Sequence, residues 1–171
     1  QRKVDQVMEA IRASQEIVIT THRSPDGDAL GASLALYHFL KRQGKRTRVI
    51  VPNPFPHFLR WMEGSNEVEV YEYNPPAGQR ILTSADLIFC LDFNLFKRVE
   101  PMALPLEESP AKKVLIDHHP FPGEGFDITI SHPEIASTCE LLFRFLKQAG
   151  AYPDLTKAEA EGIYCGMMTE T

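Results

Sequence analysis

Cysteine is scarce in this sequence, and what there is stands scattered. Cys90, Cys139 and Cys165 are odd in number and form no C-x-x-C pair. That argues against both a disulfide framework and a thiolate zinc site. Each lies among apolar neighbours, where a cysteine acts as a small buried hydrophobe. Long apolar runs are missing too: none approaches the ~20 residues of a membrane span. The opening stretch, 1–14, is charged and amphipathic and carries no signal-peptide core. A soluble, cytoplasmic protein without a membrane or disulfide partner is expected. Basic charge is also short, with 18 Lys and Arg against 23 Asp and Glu and a net charge of −5. No broad positive field is available to grip long nucleic acid. An anionic substrate must be drawn by local groups or metal ions, which favours a small phosphate ester over a duplex. Internal repeats and low-complexity tracts are absent.

What is present is an ordinary globular composition, 43% hydrophobic and 24% charged over 171 residues, enough for one core. Val4, Val7, Met8 and Ile11 recur at helical spacing, so the first segment is a helix. Short apolar runs at 16–21, 47–51, 87–91 and 113–116 read as buried strands, with 68–71 and 126–130 as weaker, edge-like ones. Helices are expected over 30–43, ended by Gly44, and over 137–149 and 156–168. Ser137 and Glu140 have capping-box spacing at the start of the first of the latter pair. A short helix carrying Phe58, Leu59 and Trp61 follows the Pro52-Pro54-Pro56 loop. Asn74-Pro75-Pro76 breaks the chain, and 101–110 is a proline-rich excursion. The fold class is α/β: a mostly parallel sheet flanked by helices on both faces. Ligands then bind beyond the carboxyl ends of the strands.

Three strands deliver polar residues to that edge. The first runs into His22, Asp26 and Asp28 on a turn shaped by Pro25 and Gly27. The 87–91 strand ends on Asp92, and the 113–116 strand on Asp117-His118-His119. Oxygen and imidazole donors without thiolate suit Mn²⁺ or another first-row ion better than structural zinc. Crowded carboxylates repel unless a cation neutralises them. Two ions ~3.5–4 Å apart, bridged by a carboxylate, would do so and would clamp a phosphate.

His22-x-x-x-Asp26-x-Asp28, Asp92, Asp117-His118-His119 and Met168-Thr169-Glu170-Thr171 resemble, in order, the four motifs of the DHH phosphoesterase superfamily. The T-H-x-x-P-D-G-D-A-x-G form of the run 21–31 and the Gly166-Met167-Met168-Thr169 run are most similar to its nanoRNase/pAp phosphatase branch. The resemblance covers nearly the whole chain. It implies that His22 and Asp26 bind one metal ion, that Asp28 and His118 bind a second, and that Asp92 bridges them. Glu170 stands where the family has a further aspartate on the second ion. His119 is implied to contact the substrate phosphate, and Asp117 to fix the His118 or His119 ring. The cofactor implied is Mn²⁺, two per chain, with Mg²⁺ or Co²⁺ as substitutes. The reaction implied is in-line attack of a metal-activated hydroxide on phosphorus, in a small nucleotide or short oligonucleotide. Residues 1–171 are expected to form the catalytic domain, with the family's second, substrate-binding domain not represented in the chain. The oligomeric state is open, a homodimer included.

Other readings compete. The superfamily also holds cyclic dinucleotide phosphodiesterases and single-strand exonucleases, and a catalytically silent metal- or nucleotide-binding module would keep the same fold. His38, His57 and His132 read as structural. Of the basic residues after strands, Arg23, Lys97 and Arg98, the last is the preferred substrate-phosphate contact. Ser137 and Thr138 offer either a phosphate-binding helix N-terminus or a plain cap. Trp61, Phe55 and Phe58 read as core or lid before base-stacking.

Overall fold

The structure, a computed structural model, describes residues 2–169. Among these the sheet has six strands: β1 (Glu16–Thr21), β2 (Arg46–Val51), β3 (Glu69–Val70), β4 (Leu87–Leu91), β5 (Lys112–Asp117) and β6 (Ile128–Ser131). Their order is β3-β2-β1-β4-β5-β6 and every pairing is parallel. The order reverses between β1 and β4, so the switch-point crevice opens where those two strands end. Thr21 Oγ1 ties them there, donating to the Leu91 carbonyl at 2.8 Å.

Side chains alternate across the pleat and feed two cores. Ile17 and Ile19 of β1, with Phe89 of β4, pack against the helices α1 (Arg2–Ala13), α2 (Gly27–Arg42), α5 (Thr138–Gln148) and α6 (Lys157–Thr169). Val18, Ile88, Cys90 and Leu115 face the other way, against α3 (Pro75–Ser84) and α4 (Ala103–Glu108). Helices α2 and α6 cross where glycines meet. A Cβ on Gly31 would strike the Gly162 carbonyl oxygen, and one on Gly162 would lie 2.6 Å from the Gly31 oxygen. No helix of the described residues is long and apolar enough to cross a membrane.

Three expectations are corrected. The break at Asn74-Pro75-Pro76 is a helix start: Asn74 Oδ1 accepts from Ala77 N–H, with prolines at the first helical positions. The excursion at 101–110 holds α4. The helix expected from residue 30 begins at Gly27, because Asp26 caps it by accepting from Ala29 N–H at 2.9 Å. At α5 half of the expected capping box forms: Ser137 Oγ accepts from Glu140 N–H, while the Glu140 carboxylate holds Arg144.

Candidate metal centre

Asp92 stands at the middle of the switch-point crevice. It is the first residue past β4 and is 3% exposed. Its φ of +65° lies in the left-handed region, which Asp tolerates better than most residues. Its two carboxylate oxygens face different imidazoles. Oδ2 lies 3.3 Å from His22 Nε2, and Oδ1 lies 3.3 Å from His118 Nε2. Each imidazole has a second acid. His22 Nε2 is 3.8 Å from Asp26 Oδ1, and His118 Nε2 is 3.8 Å from Asp28 Oδ2. His119 also brings a ring nitrogen near Asp92 and His118; the donor atoms of these three lie within 4.8 Å of one another, as do those of His22, Asp26 and Asp92.

Surrounding groups aim these donors. His22 Nδ1 lies 2.8 Å from the Arg23 carbonyl; a carbonyl only accepts, so Nδ1 carries a proton and Nε2 faces the acids. Asp117 takes hold of His119 rather than His118: its carboxylate accepts from Nδ1–H at 2.7 Å and from the His119 backbone N–H at 3.1 Å. With Nδ1 so held, Nε2 is the ring nitrogen of His119 that remains for a ligand. Thr138 Oγ1 donates to Asp92 Oδ1 at 2.8 Å. Asp28, wholly buried, accepts from the backbone N–H groups of Thr138 and Cys139, each at 2.9 Å. The positive end of α5 is thus spent on Asp28; Ser137 caps the helix, and the Thr138 hydroxyl serves Asp92. Behind Asp28 there is no room: a Cβ on Gly166 would collide with Cys139 and sit 3.0 Å from Asp28 Oδ1.

Electrostatics follow from the crowding. Burial pushes the Asp28 carboxyl up to about 7, and the charge of Asp92 adds to this, against the Cys139 and Thr138 amides. Burial would also raise Asp92, but the His118 and His22 rings and the Thr138 hydroxyl outweigh it and hold Asp92 below the carboxylate range. The hydrogen bond to Asp92 lifts His118 to about 9, although burial works the other way. Burial lowers His22, yet Asp92 and the Arg23 carbonyl leave it raised overall. The cluster therefore retains protons at neutral pH, where one or more cations would serve its acids better. Among the described residues, imidazole nitrogen and carboxylate oxygen are the donors gathered there. Burial pushes the neighbouring Cys139 thiol well up, so it stays a thiol.

The chain therefore brings together His22, Asp26, Asp28, Asp92, His118 and His119. Glu170 lies outside the described residues. Arg98 is exposed on the short turn Phe96–Val99, and its carbonyl accepts from Arg23 N–H. Arg23 is engaged elsewhere, with Glu72 at 2.7 Å and the Glu100 carbonyl at 3.2 Å. His38 bonds the Glu63 carbonyl and His132 pairs with Glu134, as structural histidines do. Reasoning from sequence missed two supporting residues. Asn53 holds the first loop through Ser24, and Asn94 holds the His119-Pro120 carbonyls. A polar residue two places past Asp92 was the available signal for Asn94.

A family model described as "DHH family, N-terminal domain" matches residues 16–167. The chain belongs to the DHH family. It is 31% identical over 170 residues to the bifunctional oligoribonuclease and PAP phosphatase NrnA of Thermus thermophilus, covering 99% of this chain and 47% of that protein. A crystal structure of an exopolyphosphatase-related protein from Bacteroides fragilis superposes with a TM-score of 0.98 at 47% identity, over 100% of this chain and 50% of that one. The exonuclease RecJ, in a crystal structure bound to manganese, shares the DHH fold at a TM-score of 0.50 and 19% identity, over 94% of this chain and 41% of that one. The chain thus spans about half the length of the first two relatives.

Proposed function

We propose that this chain is the metal-binding catalytic domain of a phosphoesterase that hydrolyses nucleotide phosphoesters, short oligonucleotides or 3′-phosphoadenosine 5′-phosphate, with two divalent ions, manganese foremost. One observation carries the reading: a single buried carboxylate, Asp92, offers one oxygen to each of two His–Asp pairs at the switch point. His22, Asp26 and Asp92 Oδ2 would hold one ion; His118, Asp28 and Asp92 Oδ1 the other, with Glu170 as a further donor. Such a pair supplies positive charge for phosphoryl oxygens and makes hydroxide available near neutral pH. The protein's own part is positioning. Asp117 fixes the His119 ring so that Nε2 meets a phosphate oxygen, and the exposed Arg98 supplies charge at the rim. The NrnA relative supports a nucleotide substrate, and the manganese-bound RecJ structure supports the ion.

Chelation tests the reading. Treatment with EDTA should abolish hydrolysis of a diribonucleotide, and Mn²⁺ added back should restore it, with Mg²⁺ or Co²⁺ restoring less. Hydrolysis that survives thorough chelation would refute a metal mechanism.

The site's protons set a pH dependence. A divalent ion must expel the proton that His118 holds up to about 9 and, lower down, the one that Asp28 holds up to about 7. Lowering the pH therefore weakens binding, by roughly tenfold per unit for each proton displaced. Mn²⁺ titrations at pH 8 and pH 6 should show much the weaker affinity at the lower value. Equal affinities would mean that these groups do not ligate.

A further inference from the structure

We propose that Phe121 is a stacking platform for the nucleobase of the substrate, so that the site selects esters carrying an aromatic base over inorganic polyphosphate of similar charge. This deepens the phosphoesterase reading and rests on it.

Phe121 is 88% exposed, the highest value among the exposed large hydrophobic side chains. It follows His119, the proposed phosphate contact, by two residues, so their Cα atoms are at most ~7 Å apart. A phenyl ring left in water is ordinarily tolerated on a mobile tip. This one stands on a loop tied down at several points. Asn94, itself 8% exposed and two residues past Asp92, donates from Nδ2 to the carbonyls of His119 (3.3 Å) and Pro120 (2.9 Å). Its own carbonyl accepts from Gly123 N–H at 2.9 Å. Gly123 packs so closely that a Cβ there would lie 2.7 Å from Leu95 Cδ2. Gly125, at φ +101°, lies against the Phe96 ring, which stacks on Phe126 at 5.0 Å.

Phe121 is also strained. Its φ is +59°, a region that bulky side chains rarely enter, and it is enclosed by Pro120 and Pro122, which restrict the backbone further. Strain of this kind persists only where the surroundings enforce it, and it gathers at functional sites. Here it holds out, two residues past His119, a ring that has no aromatic or cationic partner among the described residues. A base one sugar away from a phosphate on His119 is a ligand of fitting chemistry and reach. Stacking is tolerant of base identity, because every base has a π-face.

The test compares two substrates of equal charge, an adenine dinucleotide and the same dinucleotide with its bases removed, in Mn²⁺. Phe121→Ala should raise KM for the first by about 5- to 100-fold with kcat within about twofold, the range that loss of one base–aromatic stack gives. Phe121→Trp should restore KM. Wild type and Phe121→Ala should treat the abasic substrate alike. Equal losses on both substrates, or no loss on either, would overturn the stacking role while the wild-type turnover kept the phosphoesterase reading intact. A wild type that cleaves neither substrate would overturn both.

Discussion

Asp92→Asn is expected to remove both metal ions together and to lower phosphoester hydrolysis on the order of 10³-fold or more, the scale on which loss of a group central to a catalytic unit reads out. The substitution preserves shape but not charge. Each carboxylate oxygen of Asp92 faces its own imidazole at 3.3 Å. An amide keeps one weak oxygen donor and turns an NH₂ toward the other imidazole, where an ion would have to sit. Both positions suffer, one by lost charge and one by a misplaced donor. Asp26→Asn is the control, because of the two imidazoles Asp26 pairs with His22, while His118 pairs with Asp28. It should weaken one ion and spare the other. Folding should survive Asp92→Asn, since Thr138 Oγ1 can still donate to the remaining oxygen. Elemental analysis beside a thermal melt separates metal loss from unfolding. Retention of both ions with unchanged turnover would refute the bridging role.

The second large effect falls on stability. Arg42→Ala should cost about 3–5 kcal/mol, the range for breaking a buried ion pair from one side. Glu159 is 0% exposed on α6 and accepts two hydrogen bonds from the Arg42 guanidinium of α2, at 2.7 and 3.1 Å, and one from Thr156 Oγ1 at 2.7 Å. Without Arg42 that carboxylate keeps its burial and loses its counter-charge. The damage reaches the site, because the same helix carries Gly162 against Gly31 and Gly166 behind Asp28. Denaturant midpoints should drop sharply for Arg42→Ala and less for the paired change Arg42→Met with Glu159→Leu, which removes both charges. A loss below about 1 kcal/mol for the single change would contradict this account.

Most of the sheet could be read from sequence because its strands are buried on both faces and appear as unbroken apolar runs. The same runs marked where His22, Asp92 and His118 leave the sheet. The helix α3 was missed because Pro75 and Pro76 read as breakers, although at the first helical positions they break nothing. The role of Asp28 at the start of α5 could not be read, since that contact joins residues 110 apart in the chain. A sequence period reports what one element buries, not which distant amide a carboxylate will find. The choice of Asp117 for His119 over His118 is equally a matter of backbone direction past β5. Glu170, one methylene longer than the aspartate of the family, lies outside the described residues, and its place as a donor rests on the motif alone.

The most direct measurement is manganese bound per chain, by elemental analysis after equilibration with Mn²⁺ and removal of free ion. It needs no substrate contacts beyond this chain. Two ions per folded chain are expected, falling to none in Asp92→Asn. One ion or none on the folded wild type would contradict the two-metal centre.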